Sequence, residues 1–406
     1  MMNEVVDNWI AVITAGLWNS YCIQHMKKLG YKVLAFDQDP NAPGFKWADK
    51  KITVDINDEK AVINALIETK IRPCGATSMV SDAGAYAAVA IREKYNLPGP
   101  NRKVTERMKN KYLQRKIWSE HGLNVPEWIL IEADQDASYI SKKLDHPFVI
   151  KPIDSSGSRG VEVLFTDESL NEHIRSARNF SRDNCIIAES YIDGTEYSVE
   201  TFTHEGVTNV LTISERIRFN FTTAIQIHTA SISENLRIKI GDLVCRALQS
   251  LEFNSGPAHT EVIVSTDGIP FLVETAGRGG GFRIFDLMIK EVTGFDIVQE
   301  SINQIVGKRP NIFEQTSSQQ RFGVLRFLHG DPGKVISLAF SKTLLKLRKN
   351  EEKILTEFLV AEGDYIKKIA NDSDRSAYII AFAKTFARAS RLAEDASQSV
   401  KIKTIK

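Results

Sequence analysis

From Trp9 onward, short unbroken apolar runs alternate with apolar stripes at helical spacing. Trp9-Ile-Ala-Val-Ile-Thr14 reads as a buried strand, Ser20 to Leu29 as a helix closed by Gly30, and Lys32-Val-Leu-Ala-Phe36 as a second strand. Strands alternating with helices over residues 8–100 predict a parallel sheet with crossover connections. Residues 101–125 predict one helix ended by Gly122, with Pro126 shortly after it. From 126 the pattern changes to antiparallel β with interspersed helices. The last stretch opens on Gln320-Arg-Phe-Gly-Val-Leu-Arg-Phe-Leu328 and turns at Gly330-Asp-Pro-Gly333. It is predicted to end in a long helix from about Ala383. The class is α/β passing into α+β, with units at 1–100, 101–320 and 321–406 and no internal repeat.

Composition narrows the function classes. Hydrophobic residues are 43% and charged residues 25% of the 406, the mixture of an ordinary globular chain rather than a disordered or collagen-like one. The 52 Lys+Arg offset 51 Asp+Glu, for a net charge of +1, so no global field draws in nucleic acid or an anionic membrane. The basic stretches Lys342–Lys353 and Lys401–Lys406 lack interleaved aromatics and read as solvated faces. Cys22, Cys74, Cys185 and Cys245 lie far apart, with no C-x-x-C pair, which suits a reduced core better than a zinc site. No apolar run approaches the ~20 residues of a spanning helix. The N-terminus carries Glu4 and Asp7 and has no Lys or Arg before Lys27, unlike a secretory signal. The expectation is a cytoplasmic protein. Asp37, at the end of the second strand, invites a dinucleotide site, but Thr14-Ala-Gly-Leu-Trp-Asn19 contains no G-x-G-x-x-G, so a structural loop is the better reading.

Three constellations carry chemistry. In the first, Pro147-Phe-Val-Ile-Lys-Pro152 leads into Asp154-Ser-Ser-Gly-Ser-Arg-Gly160. Its Gly/Ser turn offers backbone N–H groups to phosphate oxygens, with Lys151 beside it on a strand rather than in a Walker loop. In the second, Cys185-Ile-Ile-Ala-Glu-Ser-Tyr-Ile192 runs through a connector to Glu196, which opens the next strand. The third runs from Ala258 to Gly281. Counting outward from a two-residue Asp267-Gly268 turn puts Glu261 opposite Glu274, Cβ atoms roughly 5 Å apart, with Ile263 and Leu272 paired next on the same face. Two such carboxylates call for a cation between them, and Mg²⁺ shared with substrate phosphates is the usual answer. Arg278 and Gly279-Gly-Gly281 follow at once, offering a fixed cation and exposed N–H groups to an oxyanion.

Together the three constellations resemble the ATP-grasp superfamily over essentially the whole chain. The resemblance implies that residues 1–100 form a Rossmann-like domain preceding the ATP-grasp domain of 101–320, with an α+β C-terminal portion at 321–406. It implies ATP contacts from Lys111, Lys151, the loop residues Ser156, Gly157, Ser158 and Gly160, the adenine connector Glu189, Tyr191 and Ile192, and the ribose acid Glu196. It also implies Mg²⁺, or Mn²⁺, on Glu261 and Glu274, with Arg278 and His228 as catalytic groups; His259 lies on the metal face. The finer resemblance is to carboxylate–amine ligases acting on L-amino acids, through Thr77-Ser-Met-Val-Ser-Asp82, Leu97-Pro-Gly99, Glu362-Gly-Asp364 and Asp374-Arg-Ser-Ala-Tyr-Ile379. Ala276 stands where many ATP-grasp enzymes carry a metal-binding Asn. The implied activity is ATP-dependent amide or peptide bond formation through an acyl phosphate. Its partners are small carboxylates and amines, with a homodimer compatible and neither nucleic acid nor membrane involved. The alternatives are a bicarbonate-using carboxylase or purine-pathway-type enzyme, and a nucleotide-binding protein without catalysis.

Overall fold

The computed structural model describes residues 8–135, 137–219, 223–312, 321–341 and 353–406. The first unit contains β1 (Trp9–Ile13), α1 (Leu17–Lys28), β2 (Lys32–Asp37), β3 (Lys50–Thr53), α2 (Glu59–Glu68), β4 (Gly75–Thr77) and α3 (Ala85–Tyr95). Its strands form a parallel sheet in the order β3-β2-β1-β4. The continuous apolar runs follow from this arrangement, because helices cover both faces of such a sheet. Asp37 is buried and accepts from the Ala15 and Asp39 backbone N–H groups. It fixes the β1–α1 loop from inside, as the structural reading of that loop expected.

The single helix predicted over 101–125 is two, α4 (Arg102–Lys109) and α5 (Lys111–Glu120). Asn110 ends the first and caps the second, its extended backbone breaking the helix while its side chain accepts from Leu113 N. The break aims Lys111 inward. Next come β5 (Trp128–Ile131), β6 (Phe148–Pro152), β7 (Glu162–Leu164) and β8 (Ile186–Ser190), an antiparallel sheet in the order β5-β8-β6-β7.

The largest sheet has eight strands and carries most of the site. Its members in chain order are β9 (Gly194–His204), β10 (Val207–Arg218), β11 (Ala224–Thr229), β12 (Ser255–Ser265), β13 (Pro270–Ala276) and β14 (Phe322–Leu328). Beyond β15 (Gly333–Phe340), β16 (Lys353–Phe358) and β17 (Tyr365–Ile366), β18 (Ala377–Ala383) joins it through β14, and β16 forms its edge. On β12 the residues Ala258, Thr260, Val262 and Val264 are buried, while His259, Glu261 and Ile263 between them are half-buried. The even set packs on the Glu234–Ser250 helix in the core, and the odd set faces a cavity.

The C-terminus differs from its prediction. Ala383 ends a strand, a helix spans Phe386–Ser397, and β19 (Val400–Ile405) pairs with β15. Lys401 and Lys403 alternate with half-buried Ile402 and Thr404 on this edge strand, where charged side chains discourage further pairing. Residues 342–352 of the other basic stretch lie outside the described residues.

Candidate functional site

The cavity, of about 1090 Å³, is lined by the four-stranded and eight-stranded antiparallel sheets together with residues of the first unit and of the C-terminal portion. Lys111, Lys151, Ser156, Gly157, Ser158, Glu189, Tyr191, Ile192, Glu196, Glu261, Glu274 and Arg278 all line it. Chain segments far apart in sequence therefore meet here. Gly160 does not line it: a Cβ there would stand 2.9 Å from both Phe180 and Pro152 side chains, so this glycine packs the base of the loop. Gly157 and Ser158 have positive φ, the turn conformation that points successive N–H groups to one side.

His228 is not brought to the cavity. On β11 its neighbour Ile227 faces the lining, so period-two alternation turns the imidazole to the opposite face. There it stacks on Phe386 at 4.6 Å, and burial lowers its pKa. The imidazole is thus a core group, turned away from the cavity, rather than the catalytic group expected from sequence. His228→Gln is expected to leave turnover within a few-fold of wild type in steady-state assays, its cost appearing in thermal stability instead.

Lys151 and Glu189 form one buried unit with Arg115. Glu189 lies 2.7 Å from both Lys151 Nζ and Arg115 Nε. Burial alone would raise the Glu189 carboxyl, but Arg115 and Lys151 together carry it below the usual range. Burial lowers Lys151 against the pull of Glu189. Glu189 thus aims Lys151, while Ser190, Tyr191 and Ile192 beyond it line the cavity.

The hairpin acids pair as counted, Glu261 opposite Glu274, but by a different route. The loop has three residues, with Ser265 N donating to Ile269 O and Gly268 at φ +76°. A β-bulge after Glu261 then restores the lost residue. Nearer the tip Ile263 opposes Phe271, and Leu272 pairs with Val262 in the core, not with Ile263 on the cavity face. The acids are also not bare. Glu274 is 2.9 Å from Lys111 Nζ, and Glu261 accepts from Arg216. Burial would raise the Glu261 carboxyl, but Arg216 and His259 hold it well below the carboxylate range. Lys111 also donates to Ser155 O at 2.5 Å, tying Glu274 to the 155–161 turn.

Several groups of the cavity lie outside the sequence-derived candidates. Arg216 lies opposite Glu196 across β9 and β10 and sits 3.0 Å from it, and Arg218 contacts the same carboxylate. Glu196 is therefore committed to two arginines. Glu200, two positions beyond Ser198 on the cavity face of β9, lies 2.5 Å from His259 Nδ1. Burial lowers the imidazole, but Glu200 outweighs it and raises the pKa to about 9. Arg278 Nε donates to Asp82 at 2.8 Å, and Nη1 donates to Gly279 O. The glycine run is not a set of exposed donors: Gly279 N–H is spent on Met79 O, and Gly280 N–H on Glu200. A Cβ at Gly279 would lie 2.1 Å from the Phe285 ring, so close packing accounts for that glycine.

Among the described residues no cluster of three or more His, Cys, Asp or Glu could hold a metal. Two opposed carboxylates, each already drawing a cation, nonetheless suit Mg²⁺, which takes one or two protein carboxylates with phosphate oxygens and water. Ala276, opposite His259, adds no third ligand. No helix among the described residues is long and apolar enough to cross a membrane.

An ATP-grasp domain family matches residues 144–286, and an L-amino acid ligase C-terminal domain 2 matches residues 326–404. An uncharacterized protein of Sinorhizobium fredii is 23% identical over 78% of this chain and 65% of its own length. A D-alanine–D-alanine ligase of Flavobacterium psychrophilum is 32% identical over 34% of this chain and 44% of its own. The chain thus spans less than two thirds of either relative. The crystal structure of an L-amino acid ligase from Bacillus licheniformis superposes with a TM-score of 0.83 at 22% identity, covering 98% of this chain and 99% of that one. A phosphoribosylglycinamide synthetase from Anaerococcus prevotii gives a TM-score of 0.76 at 19% identity, with 98% and 99% covered. With the matched segments and the shared fold taken together, this chain carries an ATP-grasp domain at residues 144–286, followed by an L-amino acid ligase C-terminal domain 2 at residues 326–404.

Proposed function

We propose that the protein is an ATP-dependent carboxylate–amine ligase that uses an amino acid as a substrate and proceeds through an acyl phosphate. The observation that carries this reading is the convergence of Glu261, Glu274, Lys111, Lys151 and the 155–161 turn at one end of a cavity, with Arg278 beside them. Cations and N–H groups gathered around one point suit phosphoryl transfer, a reaction catalysed mainly by positioning and electrostatics. Lys151 and the N–H groups of the turn would hold the transferring phosphate. Tyr191 and Ile192 would take the adenine edge, and Glu196 the ribose once Arg216 and Arg218 share it. Glu261 and Glu274 would hold Mg²⁺, which when bound neutralises phosphate charge. The Arg278 guanidinium, fixed by Asp82, would face the oxyanion of the tetrahedral intermediate formed when an amine displaces phosphate.

The test traps the intermediate. Hydroxylamine added with ATP, Mg²⁺ and the correct carboxylate is expected to give a hydroxamate in step with ADP release, because an acyl phosphate is electrophilic at carbon. An ADP-release screen over single amino acids and pairs finds that carboxylate. Substrates that release ADP yet leave no hydroxamate would exclude the acyl-phosphate route.

A further inference from the structure

The C-terminal portion sends one arginine into the cavity that the phosphate chemistry does not use. Arg375 is 3% exposed, yet it lines the cavity wall with Asp372, Asp374, Trp18, Phe282 and Leu359. Its guanidinium lies against two aromatic faces, with the central carbon 3.4 Å from the Phe327 ring centroid and 4.6 Å from that of Phe282. Stacking of this kind fixes the plane of the fork. Among the described residues only one of its terminal nitrogens is hydrogen-bonded: Nη2 donates to Asp372 Oδ1 at 2.6 Å and to Ala224 O at 3.0 Å. Nε is buried without a partner, and Nη1 makes no hydrogen bond among the described residues.

A buried cation with donors left over is costly unless a ligand completes it. Its single carboxylate partner is itself shared, since Asp372 Oδ2 stands 4.0 Å from Arg216. The group is therefore an oriented, under-compensated fork next to the metal acids, and it matches a carboxylate. The neighbouring acids supply the complement. Asp374 caps its own turn with one oxygen, accepting from Ala370 N and Asn371 N. Asp372 and Asp374 together make the same wall attractive to an ammonium group. A cation and two acids side by side match a zwitterion rather than a simple acid or a simple amine. Trp18, Phe282 and Leu359 add an apolar surface for a side chain.

We propose that Arg375 binds the carboxylate of the amine-donating α-amino acid, so that the C-terminal portion selects an amino acid, not a plain amine, as the acceptor. The assignment rests on the ligase reading for the word acceptor. A carboxylate held in a fixed fork is withheld from attack on phosphate, so it is the one that survives in the product. The carboxylate that attacks phosphate would lie at the Arg278 and Lys111 end.

The experiment uses the full chain and compares L-amino acids with the matching amino-acid amides, which keep the amine and lose the negative charge. Titration calorimetry without ATP measures both affinities in wild type, Arg375→Lys and Arg375→Gln. The wild type should prefer the acid by roughly 30-fold or more, as expected for a buried charge-assisted pair. Arg375→Gln should bring that ratio close to one, and Arg375→Lys should fall between, while binding of the amides changes little. A wild-type ratio near one would overturn the assignment, even if the glutamine variant folded poorly. So would an unchanged ratio in Arg375→Gln. Failure of the ligase reading looks different: no ADP release by wild type with any carboxylate–amine pair, whatever the binding ratio shows.

Discussion

Replacing Glu189 by glutamine is expected to cost about 3–5 kcal/mol of folding stability, the usual penalty for removing one partner of a buried charge cluster. The reason is the count of charges left behind. Arg115 is fully buried and Lys151 nearly so, and Glu189 is the carboxylate that faces both at 2.7 Å. Glutamine keeps the shape but strands two cations away from water. Burial already lowers Lys151 with Glu189 present, so losing the acid should drive that lysine toward its neutral form at physiological pH. Turnover should then collapse together with stability, because a neutral amine no longer balances phosphate charge. Lys151→Met alone behaves differently, leaving Glu189 paired with Arg115 and the fold largely intact. The double variant should accordingly be more stable than Glu189→Gln. Urea unfolding of the three variants, followed by circular dichroism, reads the order directly. A Glu189→Gln protein within 1 kcal/mol of wild type would show that water already reaches this cluster.

Why the sequence shows Glu189 at the cavity but not that its carboxylate pairs with Arg115 and Lys151 has a physical cause. An acid at the end of an apolar strand carries no mark of what lies across the sheet; Arg115 comes from α5, on a segment with its own helical periodicity. The opposed acids of the β12–β13 hairpin were legible because two irregularities cancel. A third loop residue shifts the register by one, and the bulge shifts it back before Glu261. The same counting fails on β9 and β10, where a single bulge between Val210 and Thr212 displaces the register. Simple pairing outward from Glu205-Gly206 would miss the contact between Arg216 and Glu196. A usable signal existed in Arg216-Ile-Arg218 and in Glu196, Ser198 and Glu200, which show period-two polarity on strands with apolar alternates. The parallel sheet of residues 8–100 needed no such luck, since its inner strands β1 and β2 are buried on both faces and read as unbroken apolar runs, unlike the largely exposed edge strand β3. His228 marks the opposite limit. Alternation says that a strand has two faces, but the choice of face depends on β14 and the Phe386–Ser397 helix, which arrive more than ninety residues later.

Arg278→Ala is expected to lower turnover by roughly 10²–10³, the loss seen when one oxyanion donor is removed from other enzymes, while ATP affinity stays near wild type. The nucleotide contacts assigned here lie on Lys151, the 155–161 turn and Tyr191–Ile192, whereas Arg278 follows β13 and is fixed from the other side by Asp82. Its partner set distinguishes it from an ordinary surface pair. Asp82 belongs to the first unit of the chain, and burial, which would raise its carboxyl, is outweighed by Arg278 so that the group stays ionised. The pair therefore bolts the glycine run to the β4–α3 loop, where Met79 O already takes the Gly279 N–H. An exposed ion pair would be worth at most ~1 kcal/mol and leave the rate alone. Asp82→Asn separates aim from charge. It keeps Arg278 and its cation but loosens the guanidinium, so turnover should fall less than in Arg278→Ala, and the double variant should be no worse than Arg278→Ala alone, the non-additivity expected of residues acting as one unit. Arg278→Lys should recover only part of the loss, because an ammonium cannot reproduce the planar fork that Asp82 and Gly279 O hold in place. Single-turnover and steady-state kinetics on the four proteins, with nucleotide affinity measured separately, give the comparison. Turnover within a few-fold of wild type in Arg278→Ala, or fully additive losses in the double variant, would remove the Asp82–Arg278 pair from the chemistry and leave it as a clamp between two parts of the fold.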